Sequence, residues 1–135
     1  MQKYNESRIM IEALIKRFRQ FSIDTAELII ELPRNAVNNV YSGQLIRSSS
    51  SSGANYRASQ RAKSTKDFIN KLKIVEEEAD ESIYFLDLLM HFNKPFEKRF
   101  ERLIAEANEL LAITVASLKT ARKNLKELKK CNNVA

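Results

Sequence analysis

An all-α fold, an antiparallel up-down-up-down four-helix bundle, is what this sequence predicts, and three observations predict it. Glycine and proline number only two each in 135 residues, too few turn formers for a many-turned sheet. Apolar residues recur at helical spacing in four segments, residues 6–31, 35–61, 65–91 and 96–130, each with one apolar stripe. Pro33 and Pro95 fall between segments, whereas both glycines and the serine run at 48–52 fall within the second. With 44% apolar and 30% charged residues, usage is that of an ordinary globular chain, and the length suits one domain with a single core.

In the first segment the stripe is Ile9, Ala13, Leu14, Phe18, Phe21, Leu28 and Ile29. It stops at Leu32, because a residue followed by proline, here Pro33, is pushed out of the α region. In the second, Ala36, Val37, Val40, Tyr41 and Leu45 make a helical face. In the third, Phe68, Leu72, Val75, Ala79, Ile83, Leu86 and Met90 follow heptad-like spacing. Ser64 with Asp67 is a variant capping box that marks its start. Asn93 and Pro95 separate it from the fourth segment, where proline suits a first helical turn. There the stripe is Phe100, Leu103, Ala107, Leu110, Leu111, Leu118, Ala121, Leu125 and Leu128, and residues 132–135 are expected to fray.

The run Ser48, Ser49, Ser50, Ser51, Ser52, Gly53 reads by composition as a flexible linker. Serine and glycine each cost roughly 0.5–1 kcal/mol against alanine inside a helix. The other reading is that small residues let two helix backbones approach, since Tyr56 and Ala58 resume an apolar face beyond the run. Composition leaves both open.

Net charge is +6 with a pI near 9.5, which suits an acidic partner such as RNA, DNA or an anionic surface. Charges at Lys3, Glu6, Arg8, Glu12, Lys16, Arg17 and Arg19 leave no apolar core for a signal peptide. No apolar run approaches the roughly 20 residues that span a bilayer, so no membrane partner is expected. The one cysteine, Cys131, makes no internal disulfide, in keeping with a reducing cytoplasm.

Catalytic and metal chemistry have little to stand on. His91 is the only histidine and has no glutamate three residues before it, whereas a di-iron bundle needs Glu-x-x-His pairs. The serines have no His–Asp partner, and no glycine-rich loop is present for a nucleotide. The expectation is no enzyme, no metal and no cofactor.

Two basic segments remain. Arg57, Arg61, Lys63, Lys66, Lys71 and Lys73 bracket the turn between the second and third helices, with Asp67 as the only acid among them. They make either a phosphate-binding patch or a solvated bundle end. Lys119, Arg122, Lys123, Lys126, Lys129 and Lys130 close the chain as a solvated face or as part of a phosphate-binding rim. The acidic run Glu76, Glu77, Glu78, Asp80 and Glu81 reads as an interhelical feature: pairing across the turn at 62–64 brings Arg47 near Glu78 or Glu81, a contact of the kind that specifies register when buried. Asn55, on the small-residue face, is expected to make a buried polar contact. Tyr56, in register with the core, is expected to pack there and not to stack on a base.

One stretch carries a resemblance. Gln44, Leu45, Ile46, Arg47 and Ser48 are followed by Gly53, Ala54, Asn55, Tyr56, Arg57 and Ala58, then by Arg61, Ala62, Lys63, Ser64, Asp67 and Phe68. The series continues through Lys71, Leu72, Ile74, Val75, Glu76, Glu77, Glu78, Ala79, Asp80, Glu81 and Ser82 to Tyr84, Leu86, Leu88 and Leu89. In that order they resemble the bacterial four-helix bundle proteins, also called ribosomal RNA intervening-sequence proteins. Those are similar to the accessory variability determinant of diversity-generating retroelements. Phe85 stands where that family often has tryptophan, Gln60 where cysteine is frequent and Lys73 where glycine is frequent.

The resemblance implies that the serine run is helical. It also implies a ring-like homopentamer, and its retroelement relative binds nucleic acid and a reverse transcriptase. The expectation is a non-enzymatic homo-oligomer that binds RNA or DNA through the basic turn and assists another nucleic-acid machine. The rival is a scaffold for helical protein partners whose charge only confers solubility.

Overall fold

The computed structural model describes residues 1–134, with side chains through residue 133. Four helices follow one another, α1 Gln2–Glu31, α2 Ala36–Ser59, α3 Thr65–Phe92 and α4 Glu97–Val134, with a single 3-10 turn at Lys94–Phe96 before the last. They form an all-α four-helix bundle in which each helix packs on its two sequence or chain-end neighbours. The α2–α3 seam is the most extensive and the α1–α4 seam the slimmest. Antiparallel pairing follows from the short connections.

The helix ends have local causes. Leu32 is extended ahead of Pro33 and closes α1. Asn35 caps α2, its side chain accepting the Asn38 amide at 2.8 Å. Ser64 caps α3 by accepting the Asp67 amide at 3.1 Å, while the Asp67 carboxylate accepts the Lys63 amide at 3.1 Å. This reciprocal box satisfies donors that would otherwise be orphaned.

The core is built from Phe18, Phe21 and Leu28 of α1, Leu45 and Tyr56 of α2, Leu72, Val75, Leu86 and Leu89 of α3, and Phe100, Leu103, Leu110 and Leu118 of α4. Phe18 and Tyr56 stack with ring centroids 4.7 Å apart, and burial pushes the Tyr56 phenol above its ordinary pKa.

The serine run is helical, as the resemblance implies and against the linker reading from composition: residues 48–52 lie inside α2. The physical reason is that the buried face of this helix is polar and small. Ser42, Ser48, Ser49, Ser52 and Ser59 are all buried. The Ser48 and Ser82 hydroxyls meet 2.9 Å apart across the α2–α3 seam, and Ser22 donates to the Ser49 carbonyl at 3.1 Å from α1. Ser52 and Ser59 donate back to carbonyls three residues earlier, so these buried hydroxyls are satisfied. Close approach and hydrogen bonds outweigh the modest propensity cost.

The same polar face corrects the expected register of α2. Asn38, Ser42 and Leu45 point inward, whereas Val37 and Val40 are exposed. Asn38 and Asn93 make a buried reciprocal amide pair, with bonds of 2.9 and 2.8 Å. Other expectations shift as well. Helix α1 begins at Gln2, four residues earlier than the periodicity suggests, and Ile9 on it is 65% exposed. Helix α4 continues through Asn132 and Asn133 to Val134, where fraying was expected, and Ala135 lies outside the described residues.

Candidate nucleic-acid interface

Three segments converge on one end of the bundle. Gly53 of α2 sits against Phe18 of α1, six residues before α2 ends at Ser59, so in antiparallel register the first turns of α1 pass beyond that end. Residues 1–10 are exposed throughout. On the other side, Ala121 and Asn124 of α4 share a hollow with Ser59, Gln60, Ala62, Ser64 and Thr65 of the turn. Beyond Ala121 every described side chain of α4 is exposed except the half-buried Leu125.

Charge is polarised accordingly. The first segment brings Lys3, Arg8 and Lys16, the turn brings Arg57, Arg61, Lys63, Lys66 and Lys71, and α4 brings Lys119, Arg122, Lys123, Lys126, Lys129 and Lys130. Against these fourteen stand four acids, Glu6, Glu12, Asp67 and Glu127, leaving nine basic and thirteen acidic side chains for the rest of the chain. The basic end is strongly cationic and the remainder is net acidic.

Within the turn, Arg57, Arg61, Lys63 and Lys71 line a shallow hollow with Ala54, Ala58 and Asp67. Arg57, Arg61, Lys63 and Lys66 are exposed. Lys71 is less available, because its ammonium donates to Asp67 at 2.9 Å. That bond, with the Lys63 backbone amide second, holds the Asp67 carboxyl below the ordinary range. Lys73 does not join the patch. It faces a hollow on the α3–α4 side with Glu76, Glu77, Asp80, Leu111 and Val115, where neighbouring acids offset its charge.

The polar contacts divide. Arg47 of α2 bridges Glu81 and Glu78 of α3, its Nη1 reaching Glu78 at 3.0 Å. The Glu81 hydrogen bond first, and the Glu78 one second, raise the Arg47 pKa further. The expected pairing of Arg47 with Glu78 and Glu81 forms, and it lies at the edge of the seam with the Arg47 side chain 48% exposed, so it is not a buried contact. Asn55 also differs: it is half-buried and donates to the Ser51 carbonyl and hydroxyl of its own helix. The side-chain pairs that cross the seam under cover are Ser48 with Ser82 and Asn38 with Asn93, which no periodicity flags because none of these residues belongs to an apolar stripe. Tyr56 is buried against Phe18, which takes it away from any base. Among the described residues, no group of three or more His, Cys, Asp or Glu side chains is placed to hold a metal ion, and no helix is long and apolar enough to cross a membrane.

A family model described as 23S rRNA-intervening sequence protein matches residues 13–116. The chain belongs to the 23S rRNA-intervening sequence protein family. The fold agrees. A crystal structure of a protein of unknown function from the S23 ribosomal protein family of Bacteroides thetaiotaomicron superposes with a TM-score of 0.69 at 28% identity, covering 78% of this chain and 98% of that one. No curated protein matches the sequence. The intervening-sequence protein match takes in the basic turn and ends before Lys119, so the cations of the last helix lie beyond the matched residues.

Proposed function

We propose that this protein is a non-enzymatic, homo-oligomeric accessory factor that binds RNA or DNA through its basic end, with Arg57, Arg61, Lys63 and Lys66 at the turn as contacts. The observation that carries the reading is the charge polarity, fourteen cations against four acids at one end and an acidic excess elsewhere. A solubilising charge has no reason to segregate, whereas a polyanion is met by a concentrated patch. The family's name, which refers to intervening sequences of 23S rRNA, supports a nucleic-acid setting.

Self-association is the second part of the proposal. Ile9, Met10, Ile30 and Val40 are between 63% and 81% exposed, large apolar side chains that contact with further copies of the chain would cover. The family resemblance favours a homopentamer in the cytoplasm, working beside another nucleic-acid machine such as a reverse transcriptase. Light scattering of the purified chain tests the ring, and a clean monomer mass at micromolar concentration refutes it.

The binding reading is tested by fluorescence anisotropy against labelled RNA and DNA with the triple variant Arg57→Glu, Arg61→Glu, Lys63→Glu. Binding should be lost while helicity is kept, since all three side chains are exposed. Undiminished affinity removes these residues from the interface. A scaffold that only binds helical proteins predicts no nucleic-acid binding at any salt concentration.

A further inference from the structure

We infer that the cationic face of α4 lies along the phosphate backbone of a double-stranded nucleic acid and holds it without reading its sequence. The inference rests on the nucleic-acid reading above and extends its contact from the turn to the last helix.

Position comes first. At about 100° per residue, Lys119, Arg122, Lys123, Lys126, Lys129 and Lys130 fall within roughly a third of the helix circumference. They make a ladder about 17 Å long at 1.5 Å per residue. Leu118, Ala121 and Leu125 occupy a different arc, the one turned to the bundle, so the basic face is not the packing face. All six cations are exposed. Among the described residues none of them takes part in an ion pair, whereas Arg8, Arg17, Arg47, Lys71 and Arg99 each do. Glu127 is the only acid after Glu109.

Chemistry then selects the ligand. There is no aromatic side chain after Phe100, so the ladder has no platform on which unpaired bases could stack, and such stacking supplies much of the affinity of single-strand binders. What it offers is point charge, and a duplex carries one phosphate per 1.7 Å of axis, about twice the density of a single strand. Five of the six are lysines, compact point charges on flexible stems without arginine's planar fork. Backbone attraction without base readout follows. The ladder begins after residue 116, where the family match ends.

The experiment uses the full chain and a labelled duplex DNA, a duplex RNA and a single strand of equal length, with anisotropy read over a salt series. The variant replaces all six cations by glutamine. For duplex DNA each lost phosphate contact lowers the log–log salt slope by about 0.9, so the slope should fall by about five and low-salt affinity by at least about a hundredfold. A companion variant with only Lys123, Lys126 and Lys130 changed to glutamine should lower the slope by about three, and it keeps the test decisive should the full variant lose helicity. The duplex arms decide between DNA and RNA as the source of the phosphates. An unchanged slope in the glutamine variant, or a single strand bound as tightly as either duplex, overturns the inference. If the turn variant loses binding while the glutamine variant binds as the parent does, the nucleic-acid reading stands and this one falls. If the parent binds none of the probes, both fall. A changed oligomer mass with unchanged binding assigns the face to another copy of the chain and overturns the inference as well.

Discussion

Replacing Asn38 by alanine strips three hydrogen bonds from a site sealed from solvent. Asn38 is 2% and Asn93 4% exposed. Asn38 donates to the Asn93 side-chain oxygen at 2.9 Å and to the Pro33 carbonyl at 2.9 Å, and accepts from Asn93 at 2.8 Å. Each bond contributes about 1 kcal/mol net, and a buried polar atom left without a partner costs about 1–3 kcal/mol. The stranded oxygen of Asn93 is such an atom, although its amide keeps the Leu89 carbonyl at 2.8 Å. The expected loss is therefore about 3–4 kcal/mol, a large part of a typical domain stability. Asn93→Ala should cost a similar amount. The double variant should cost about 1–2 kcal/mol less than the two losses taken together, because neither partner is then stranded. Urea titration followed by circular dichroism reads this as a midpoint shift of roughly 1.5–2 M for each single variant at ordinary slopes. Single losses below about 0.5 kcal/mol, or strict additivity, would refute the account of a mutually satisfied pair that pins α2 to the end of α3.

Phe18→Ala should destabilise by about 3–5 kcal/mol, since it opens a cavity where Phe18 is 1% exposed and stacked on Tyr56. Thermal or urea unfolding checks it, and a loss under about 1 kcal/mol contradicts the packing. Gly43→Ala should stabilise by about 0.5–1 kcal/mol, because the added methyl meets nothing within 4 Å and alanine is the better helix former. Gly53→Leu should destabilise, since a side chain there runs into Phe18 at 3.4 Å, and an unchanged melting temperature would count against that close approach. Asp67 has a depressed pKa in the fold, so its contribution is present above the ordinary carboxylate value and is lost as pH falls through the lower folded value. Asp67→Asn should thus be less stable than the parent near neutral pH, with the gap closing between about pH 5 and pH 2. A gap that stays constant over that range rules out the charge as its origin.

The sequence showed four helices because burial imposes a period near 3.6 on Leu72, Val75, Ala79 and Leu86, and because Pro33, Ser64 and Pro95 act locally. The start of helix α2 was legible as a helical face, but its passage through the serine run was legible only through the resemblance to a family. Its inward face is serine and asparagine, and periodicity arguments count apolar residues. Val37 and Val40 therefore mimic a core stripe while Asn38 and Ser42 do the packing. The basic turn was visible as a run of charge, yet its division was not. The neutralisation of Lys71 by Asp67 is a contact between neighbours on one helix turn, but the removal of Lys73 to the α3–α4 side depends on which face α4 covers. Convergence of three chain segments on one end is a property of register, and no single segment discloses it.

The segregation of charge also bears on how fast a complex forms. A molecule with a cationic end and an acidic body behaves as a permanent dipole, and a polyanion exerts a torque on it before contact. Approaching molecules turn basic end first, so a larger share of collisions is productive, and association is accelerated at low ionic strength. The acidic body then acts as a rudder. Neutralising acids far from any contact, such as Asp87 or Glu97, would slow orientation while leaving the bound state's own contacts untouched.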